Sequence, residues 1–149
     1  MMYKIRLVSE ENYVELAYGG TIDLHDLSMG RLEASALTKA HGCTRLLVDL
    51  RKINGSFSTC EIFDFTRSHN EFFSVKTKIA VLSSDDHFSN ARFSENVARN
   101  RGIFMKAFRD KKEAADWLKT TVFKQSTGAA EGFHCPPAVK IINYSSCVA

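Results

Sequence analysis

Short apolar runs alternate with amphipathic segments over about the first 120 residues, a pattern that predicts strands alternating with helices. Residues 3–8 and 13–18 are predicted to be strands, and the short polar stretch Glu10-Glu11-Asn12 between them suits a hairpin. The later apolar runs are nearly continuous, as expected of parallel strands that are covered on both faces. These runs are residues 45–50, 78–82 and 103–108.

The segment after the second strand has the periodicity of a helix. It is predicted to begin at Asp23 or Asp26, either of which can act as an N-cap. His41-Gly42 is predicted to end it, because glycine is the usual residue after the last turn of a helix. Its apolar positions are expected to form one buried side: Met29, Leu32, Ala36, Leu37 and Ala40.

Three further helices are predicted after a loop at 52–57. They cover residues 58–73, 87–101 and 111–120. The first has the spacing of a capping box, in which the Ser58 hydroxyl accepts from the Glu61 backbone and the Glu61 side chain reaches back. Asp85 or Asp86 is expected to cap the second.

This order of elements predicts an α/β domain with a mixed, mainly parallel five-stranded sheet, an N-terminal β-hairpin and about four helices. Parallel strands require crossover connections, which the alternating helices supply. Residues 1–123 are predicted to form this domain. Residues 124–149 are predicted to be a Gly-, Ala-, Ser- and Thr-rich linker followed by a tail, whose apolar stretch 138–144 is expected to pack on the domain or on a second copy.

Composition limits the class of protein. A length of 149 residues with 44% hydrophobic and 25% charged residues is typical of one globular domain. A net charge of +3, with basic and acidic residues interspersed, predicts no nucleic-acid binding. The longest apolar runs are strand-sized, and the chain enters a strand at once, so we expect neither a transmembrane segment nor a signal peptide.

Recognisable catalytic and cofactor motifs are lacking in this sequence. It contains no nucleophile elbow, P-loop or dinucleotide fingerprint, and its five histidines show no metal-binding spacing. We therefore expect a protein that is not an enzyme and holds no cofactor or metal. The cysteines Cys43, Cys60, Cys135 and Cys147 lack CxxC spacing, which predicts reduced thiols and a cytoplasmic protein. Cys60, near a helix N-terminus, is expected to be a buried, inert thiol.

Aromatic residues are unusually dense in the loop and helix around residues 57–73. An amphipathic helix needs one apolar stripe, whereas Phe63 and Phe72 fall outside the stripe of Ile62, Thr66 and His69. Such a surplus indicates an apolar pocket or a protein contact. The candidate ligand or partner surface consists of Phe57, Phe63, Phe65, His69, Phe72 and Phe73.

Four short motifs, in this order and spacing, resemble the SpoIIAA-like family of the STAS superfamily, which consists of small bacterial proteins. They are Gly20-Thr21-Ile22-Asp23, Leu46-Leu47-Val48-Asp49-Leu50, the run from Phe104 to Asp110, and Glu113-Ala114-Ala115-Asp116-Trp117-Leu118. The resemblance covers about residues 3–120. It implies a mixed sheet with helices packed on it, in agreement with the hydrophobic pattern.

The resemblance also implies a candidate phosphoacceptor. Anti-sigma-factor antagonists of the superfamily carry a phosphorylated serine after the central strand, and that place falls on Ser58 or Thr59 in this chain. Here Phe57 replaces the acidic residue that precedes the serine in the superfamily. The capping box provides an alternative, purely structural role for Ser58.

Two functions follow from these observations. The first is a non-enzymatic interaction or regulatory module that acts through the helix at 58–73, with a protein partner or a second copy in a homodimer. The alternative is a binder of a small apolar or lipid-like molecule, whose pocket walls are the same phenylalanines.

Overall fold

The computed structural model describes residues 3–55 and 57–120, which form a five-stranded sheet in the order β1-β2-β3-β4-β5. The first two strands pair antiparallel and the remaining neighbours pair parallel. This arrangement confirms the predicted fold class. The strands are β1 (Tyr3–Val8), β2 (Tyr13–Thr21), β3 (Arg45–Asn54), β4 (Lys78–Leu82) and β5 (Phe104–Phe108).

Side chains alternate between the two faces of the sheet along each strand. Both faces carry apolar residues, and helices cover both of them. Leu46 packs in a large core with residues of α1 and α3, whereas its neighbour Leu47 packs in a smaller core with α4. The helices are α1 (Leu24–Ala40), α2 (Thr59–Arg67), α3 (Phe88–Asn100) and α4 (Lys111–Lys119), and single 3-10 turns occur at His69–Glu71 and Asp85–His87.

Side-chain caps fix the start of three of these helices. Asp23 accepts from the Asp26 backbone, and Asp26 reciprocates, so α1 begins with a complete capping box. Asp110 caps α4 by accepting from the Glu113 backbone at 3.0 Å, and Ser58 caps α2. The prediction for α3 was wrong: Asp85 and Asp86 form a 3-10 turn, and the residue before α3 makes no side-chain cap.

The buried face of α1 differs from the predicted one. Met29 and Leu32 are 38% and 51% exposed, Ala36 and Ala40 are also exposed, and Leu37 is half-buried. The buried residues are instead Leu27, Gly30, Arg31, Ala34, Ser35 and Thr38. Several of these are polar, and two of them donate to carbonyl groups that are distant in sequence: the Ser35 hydroxyl donates to Phe72 O at 2.7 Å, and Arg31 Nη1 donates to Phe65 O at 2.8 Å. The apolar pattern was misleading because these partners are remote in sequence.

Two element boundaries also differ from the prediction. The strand β3 continues to Asn54 through part of the predicted loop at 52–57, since β2 extends to Thr21 and pairs with it. The predicted helix at 58–73 ends at Arg67 and is followed by the 3-10 turn. Ser68 ends the helix, and its hydroxyl donates to Phe65 O at 2.9 Å.

Several predictions fall outside the described residues. The linker and tail at 124–149, the domain boundary at residue 123, and Cys135 and Cys147 all lie beyond residue 120. Within the described ranges Cys43 and Cys60 are free thiols. None of the helices in those ranges is long and apolar enough to cross a membrane.

Candidate binding site beneath helix α2

An apolar cavity of about 110 Å³ lies between the sheet and α2. Its floor includes Val48, Leu50 and Ile53 of β3, and Phe57 and Ile62 form part of its wall at the start of α2. The carboxyl ends of parallel strands, with the helix starts that follow them, are where α/β folds usually bind ligands. The position and apolar lining of the cavity therefore make it the leading candidate for a binding site.

The cavity exists because α2 packs chiefly against α3 rather than directly on the strands. The buried Thr66 hydroxyl shares a hydrogen bond of 2.9 Å with Ser94 of α3. One side of α2 contacts α3, and another side faces the core, where it borders the cavity. The helix α2 thus forms a roof over the cavity.

Arg31 of α1 holds the other end of this roof. Its side chain is buried between the rings of Phe65 and Phe72, with Cζ 4.1 Å from each ring centroid. Its Nη1 donates to Phe65 O at 2.8 Å, to Ser68 Oγ at 2.9 Å and to His69 Nδ1 at 3.1 Å. Arg31 therefore supplies donors to the carboxyl end of α2, where helix carbonyls lack partners. Burial lowers the pKa of the Arg31 guanidinium.

His69 is buried against this arginine and lines the cavity. An arginine can only donate, so the His69 Nδ1 that meets it must accept, and the imidazole proton is then on Nε2. Burial, and then the charge of Arg31, lower the pKa of His69 to about 3. Its ring packs edge-on against Phe65 and Phe73. His69 is consequently a neutral part of the cavity wall near pH 7.

The structure divides the predicted aromatic surface into three parts. Phe57, Phe65, His69 and Phe73 come together on the cavity wall. Phe72 lies against the Arg31 guanidinium and does not line the cavity. Phe63 is 39% exposed on the outer side of α2, where Arg67 Cζ lies 5.8 Å from its ring centroid. The inner and outer sides of α2 therefore offer different surfaces.

The predicted phosphoacceptor residues lie at the exposed start of α2. The Ser58 Oγ accepts from the Glu61 amide at 3.1 Å, and Glu61 Oε1 accepts from the Ser58 amide at 2.9 Å. The expected capping box is therefore present. Thr59 is exposed, and so is Cys60, which contradicts the expectation of a buried thiol. The first turn of a helix that faces solvent leaves little to cover these two side chains.

Sequence reasoning missed Arg31, although one signal could have revealed it. Leu27, Arg31 and Ala34 follow helical spacing and would share one face, so a choice of that face would have buried the arginine. Polar residues that line the cavity were missed as well: Ser83, His87, Asn90 and Ser94. Among the described residues no group of three His, Cys, Asp or Glu side chains is placed to hold a metal ion.

Comparisons with known proteins identify the fold. No protein-family model and no curated protein matches this sequence. The structure is similar to that of an anti-sigma factor antagonist from Mycobacterium paratuberculosis, with a TM-score of 0.58 and 11% identity over 79% of this chain and 93% of that one. An uncharacterised protein of the DUF3478 family with a SpoIIAA-like fold, from Shewanella loihica PV-4, matches with a TM-score of 0.46 and 17% identity over 78% of this chain and 91% of that one. The likeness to the anti-sigma factor antagonist confirms the predicted fold, a mixed sheet with helices packed on it.

Proposed function

We propose that this domain is a non-enzymatic interaction module that presents the outer side of α2 to a protein partner or to a second copy of the chain. The observation that carries this proposal is the exposed Phe63 ring on that side, next to the charged Asp64 and Arg67. An exposed aromatic residue bordered by charged groups is typical of the centre and rim of a protein contact. The free thiols Cys43 and Cys60 suit a cytoplasmic location.

The fold is compatible with such a role. The similar structure from Mycobacterium paratuberculosis is named an anti-sigma factor antagonist, which is a class of regulatory protein. The chemistry of the site favours binding over catalysis, since His69 has a pKa of about 3 and is too weak a base for proton abstraction near neutral pH. Because Ser58 is engaged as a cap, we assign it a structural role rather than that of a phosphoacceptor.

A matched pair of surface variants tests the interaction role. Phe63→Ser removes the exposed ring of α2, and Leu32→Ser removes a somewhat more exposed apolar side chain of α1. Immobilised wild-type domain and both variants are incubated with extract, and the retained proteins are quantified by mass spectrometry. A protein retained by the wild type and by Leu32→Ser but lost with Phe63→Ser supports the proposal, whereas identical retained sets contradict it. Sedimentation of the same three proteins tests, by the same comparison, whether the partner is a second copy of the chain.

A second candidate function rests on the cavity. Its walls are mostly apolar, its volume is about 110 Å³, and Phe57, Phe65 and Phe73 lie around it. For comparison, an engineered apolar cavity of about 150 Å³ binds benzene. We propose on this basis that the cavity beneath α2 takes a small apolar molecule.

Native mass spectrometry of protein purified from cells distinguishes the two candidates. A retained small molecule, released when the protein is denatured, supports the cavity as the working site. A ligand-free dimer that Phe63→Ser converts to monomer supports the outer side of α2. A ligand-free monomer that takes up no added apolar compound contradicts the second candidate.

A further inference from the structure

The two outer strands of the sheet are covered to different extents. At β5, Glu95 accepts from the Ala107 amide, and the side chains of Met105 and Ala107 are buried in the large core. The side chains of β1 that face the same core are only half-buried, although the residues opposite them on β2 are buried. These β1 residues are Tyr3, Ile5 and Leu7. Apolar surface is therefore left open along β1.

The backbone edge of β1 is also open in the part of the chain that the structure describes. There β1 pairs with β2 alone. Outside that ladder its backbone makes one hydrogen bond within the described residues, from the Glu11 amide to Val8 O in the hairpin turn. About half of the N–H and C=O groups of an edge strand point away from its antiparallel neighbour. Along the six residues of β1, these groups can pair with a further strand.

Exposed apolar side chains of α1 extend this open surface. The Tyr3 hydroxyl donates to Glu33, which places Glu33 beside β1. Met29 and Ala36 lie four residues before and three residues after Glu33, so they share its side of the helix. Both are exposed. A strand added to β1 would bring its side chains next to these two residues.

The described part of the chain ends within reach of this edge. Thr120 O accepts from Lys78 Nζ at the start of β4, at 2.9 Å. Lys119 pairs with Glu11 of the hairpin turn, with 3.4 Å between Nζ and Oε2. Three strand spacings, about 14 Å, separate β4 from β1. The residues that connect Thr120 to the apolar stretch 138–144 are 121–137, and a chain of about 17 residues spans roughly 20–25 Å as a coil.

We propose that residues 138–144 of the same chain pair with β1 as a sixth strand, antiparallel to it. The sequence of this segment is Ala-Val-Lys-Ile-Ile-Asn-Tyr, which is rich in the β-branched and aromatic residues that favour strands. Its length matches the six residues of β1. Pro136-Pro137 precede it, and proline is tolerated at the start of a strand.

The position of the α4 end determines the direction and the source of the added strand. The contact between Lys119 and Glu11 lies at the turn that follows Val8, so the chain reaches that end of β1 first and runs toward Tyr3. This direction is antiparallel to β1. Because a short tether gives the segment an effective concentration of about the millimolar range, the tail of the same chain outcompetes the tail of a second copy.

NMR of the full-length protein tests the pairing directly. We expect nuclear Overhauser effects between the Hα atoms of 138–144 and those of β1, because opposite residues approach closely in an antiparallel pair. One of any two adjacent residues in the added strand donates its amide toward β1, so Ile141→Pro and Ile142→Pro are both made. At least one of them should speed the exchange of the outward β1 amides by about 10-fold, since it removes a ladder hydrogen bond. Ala129→Pro, among the connecting residues, is the control and should leave this exchange unchanged.

A sample that mixes isotopically labelled with unlabelled chains identifies the source of the strand. Overhauser effects within one chain support the proposal, whereas effects between chains place the tail on a second copy and overturn it. Absence of these effects, with exchange of the β1 amides unchanged by either proline, also overturns it. If the proline variants fail to fold, the Overhauser effects of the wild-type protein still decide the question.

Discussion

The hydroxyl of Tyr18 occupies the space in which a side chain at Gly30 would lie. A Cβ built on Gly30 would be 2.2 Å from Tyr18 Oη and 2.8 Å from its Cζ. The same hydroxyl donates to Leu27 O at 2.8 Å, so the tyrosine is fixed at both its ring and its oxygen. This contact holds α1 against β2, next to the buried Arg31 that supports the roof of the cavity.

Gly30→Ala should therefore destabilise the fold, although alanine favours helices. Overpacking a buried contact costs about 1–3 kcal/mol, while replacing a helical glycine with alanine returns up to about 1 kcal/mol. We expect a net loss of about 1–2 kcal/mol in the free energy of unfolding, measured by urea denaturation.

The double variant Tyr18→Phe with Gly30→Ala checks the cause. Removing the hydroxyl relieves the closest contact, so the double variant should lose less stability than the sum of the single variants. Strict additivity would mean that the cost of Gly30→Ala arises elsewhere. Ala36→Gly, at an exposed position of α1, gives the ordinary helical cost of glycine for comparison.

Local signals in the sequence were enough to predict the order of elements and the cap at Ser58, and they left Asp23 and Asp26 as alternatives for the cap of α1, which is Asp23. The buried face of α1 could not be predicted in the same way. Arg31 and Ser35 find their acceptors at Phe65 and Phe72, 34 and 37 residues along the chain. A polar residue buried by remote carbonyl groups has the same local pattern as one that faces water.

Contacts between residues that are remote in sequence also explain why the site was only partly predicted. The density of phenylalanines indicated an apolar pocket or a protein contact, because aromatic side chains beyond one stripe need a second apolar environment. The end of α2 at Arg67 depends instead on Ser68 and Arg31, which act on Phe65 O from outside the helix. Helical spacing continued past that point and predicted a longer helix.

Ser58→Ala should lower the free energy of unfolding by about 0.5–2 kcal/mol, because it removes the oxygen that accepts from the Glu61 amide. Ser58→Asp should cost little, since aspartate is also a good N-cap and its charge favours a helix N-terminus. Thr59→Ala is the control at the adjacent exposed position. An unchanged stability in Ser58→Ala, together with altered partner binding in Ser58→Asp, would instead favour a phosphorylation switch.

His69 should make the protein less stable in acid. Its pKa is about 3 in the folded state and near 6.5 when unfolded, so below pH 6.5 the unfolded chain binds a proton that the folded chain does not. Stability is therefore fully present above about pH 6.5 and falls by about 1.4 kcal/mol per pH unit below it. The loss between pH 6 and pH 4 should be about 2–3 kcal/mol from this residue.

His69→Asn isolates this contribution, because the Asn oxygen can still accept from Arg31 but does not titrate. Urea denaturation of both proteins is measured from pH 4 to pH 7.5. The carboxylates are common to the two proteins and cancel in the comparison. We expect the variant to be less stable at pH 7.5 and to have a shallower slope in acid. Parallel slopes would show that His69 titrates normally in the folded state.

Glu95 covers the open edge of the sheet. This residue is 5% exposed, and its Oε1 accepts from the Ala107 amide of β5 at 3.0 Å. Among the residues that the structure describes, the edge strand β5 pairs with β4 alone, so without Glu95 this amide would have no partner there. Arg99 pairs with the carboxylate of Glu95 at 2.9 Å from the more exposed side.

Glu95→Ala should therefore cost about 1–3 kcal/mol, the penalty for a buried donor left unsatisfied. Glu95→Gln keeps an oxygen for the Ala107 amide and should cost less, while Arg99→Ala, which removes a mostly exposed ion pair, should cost about 0.2–1 kcal/mol. Hydrogen exchange gives the residue-specific measurement: the Ala107 amide should lose protection in Glu95→Ala and retain it in Glu95→Gln. Because an uncovered strand edge can pair with another chain, Glu95→Ala should also aggregate more readily than Glu95→Gln. Equal protection of Ala107 in the two variants would show that its amide is satisfied by another group.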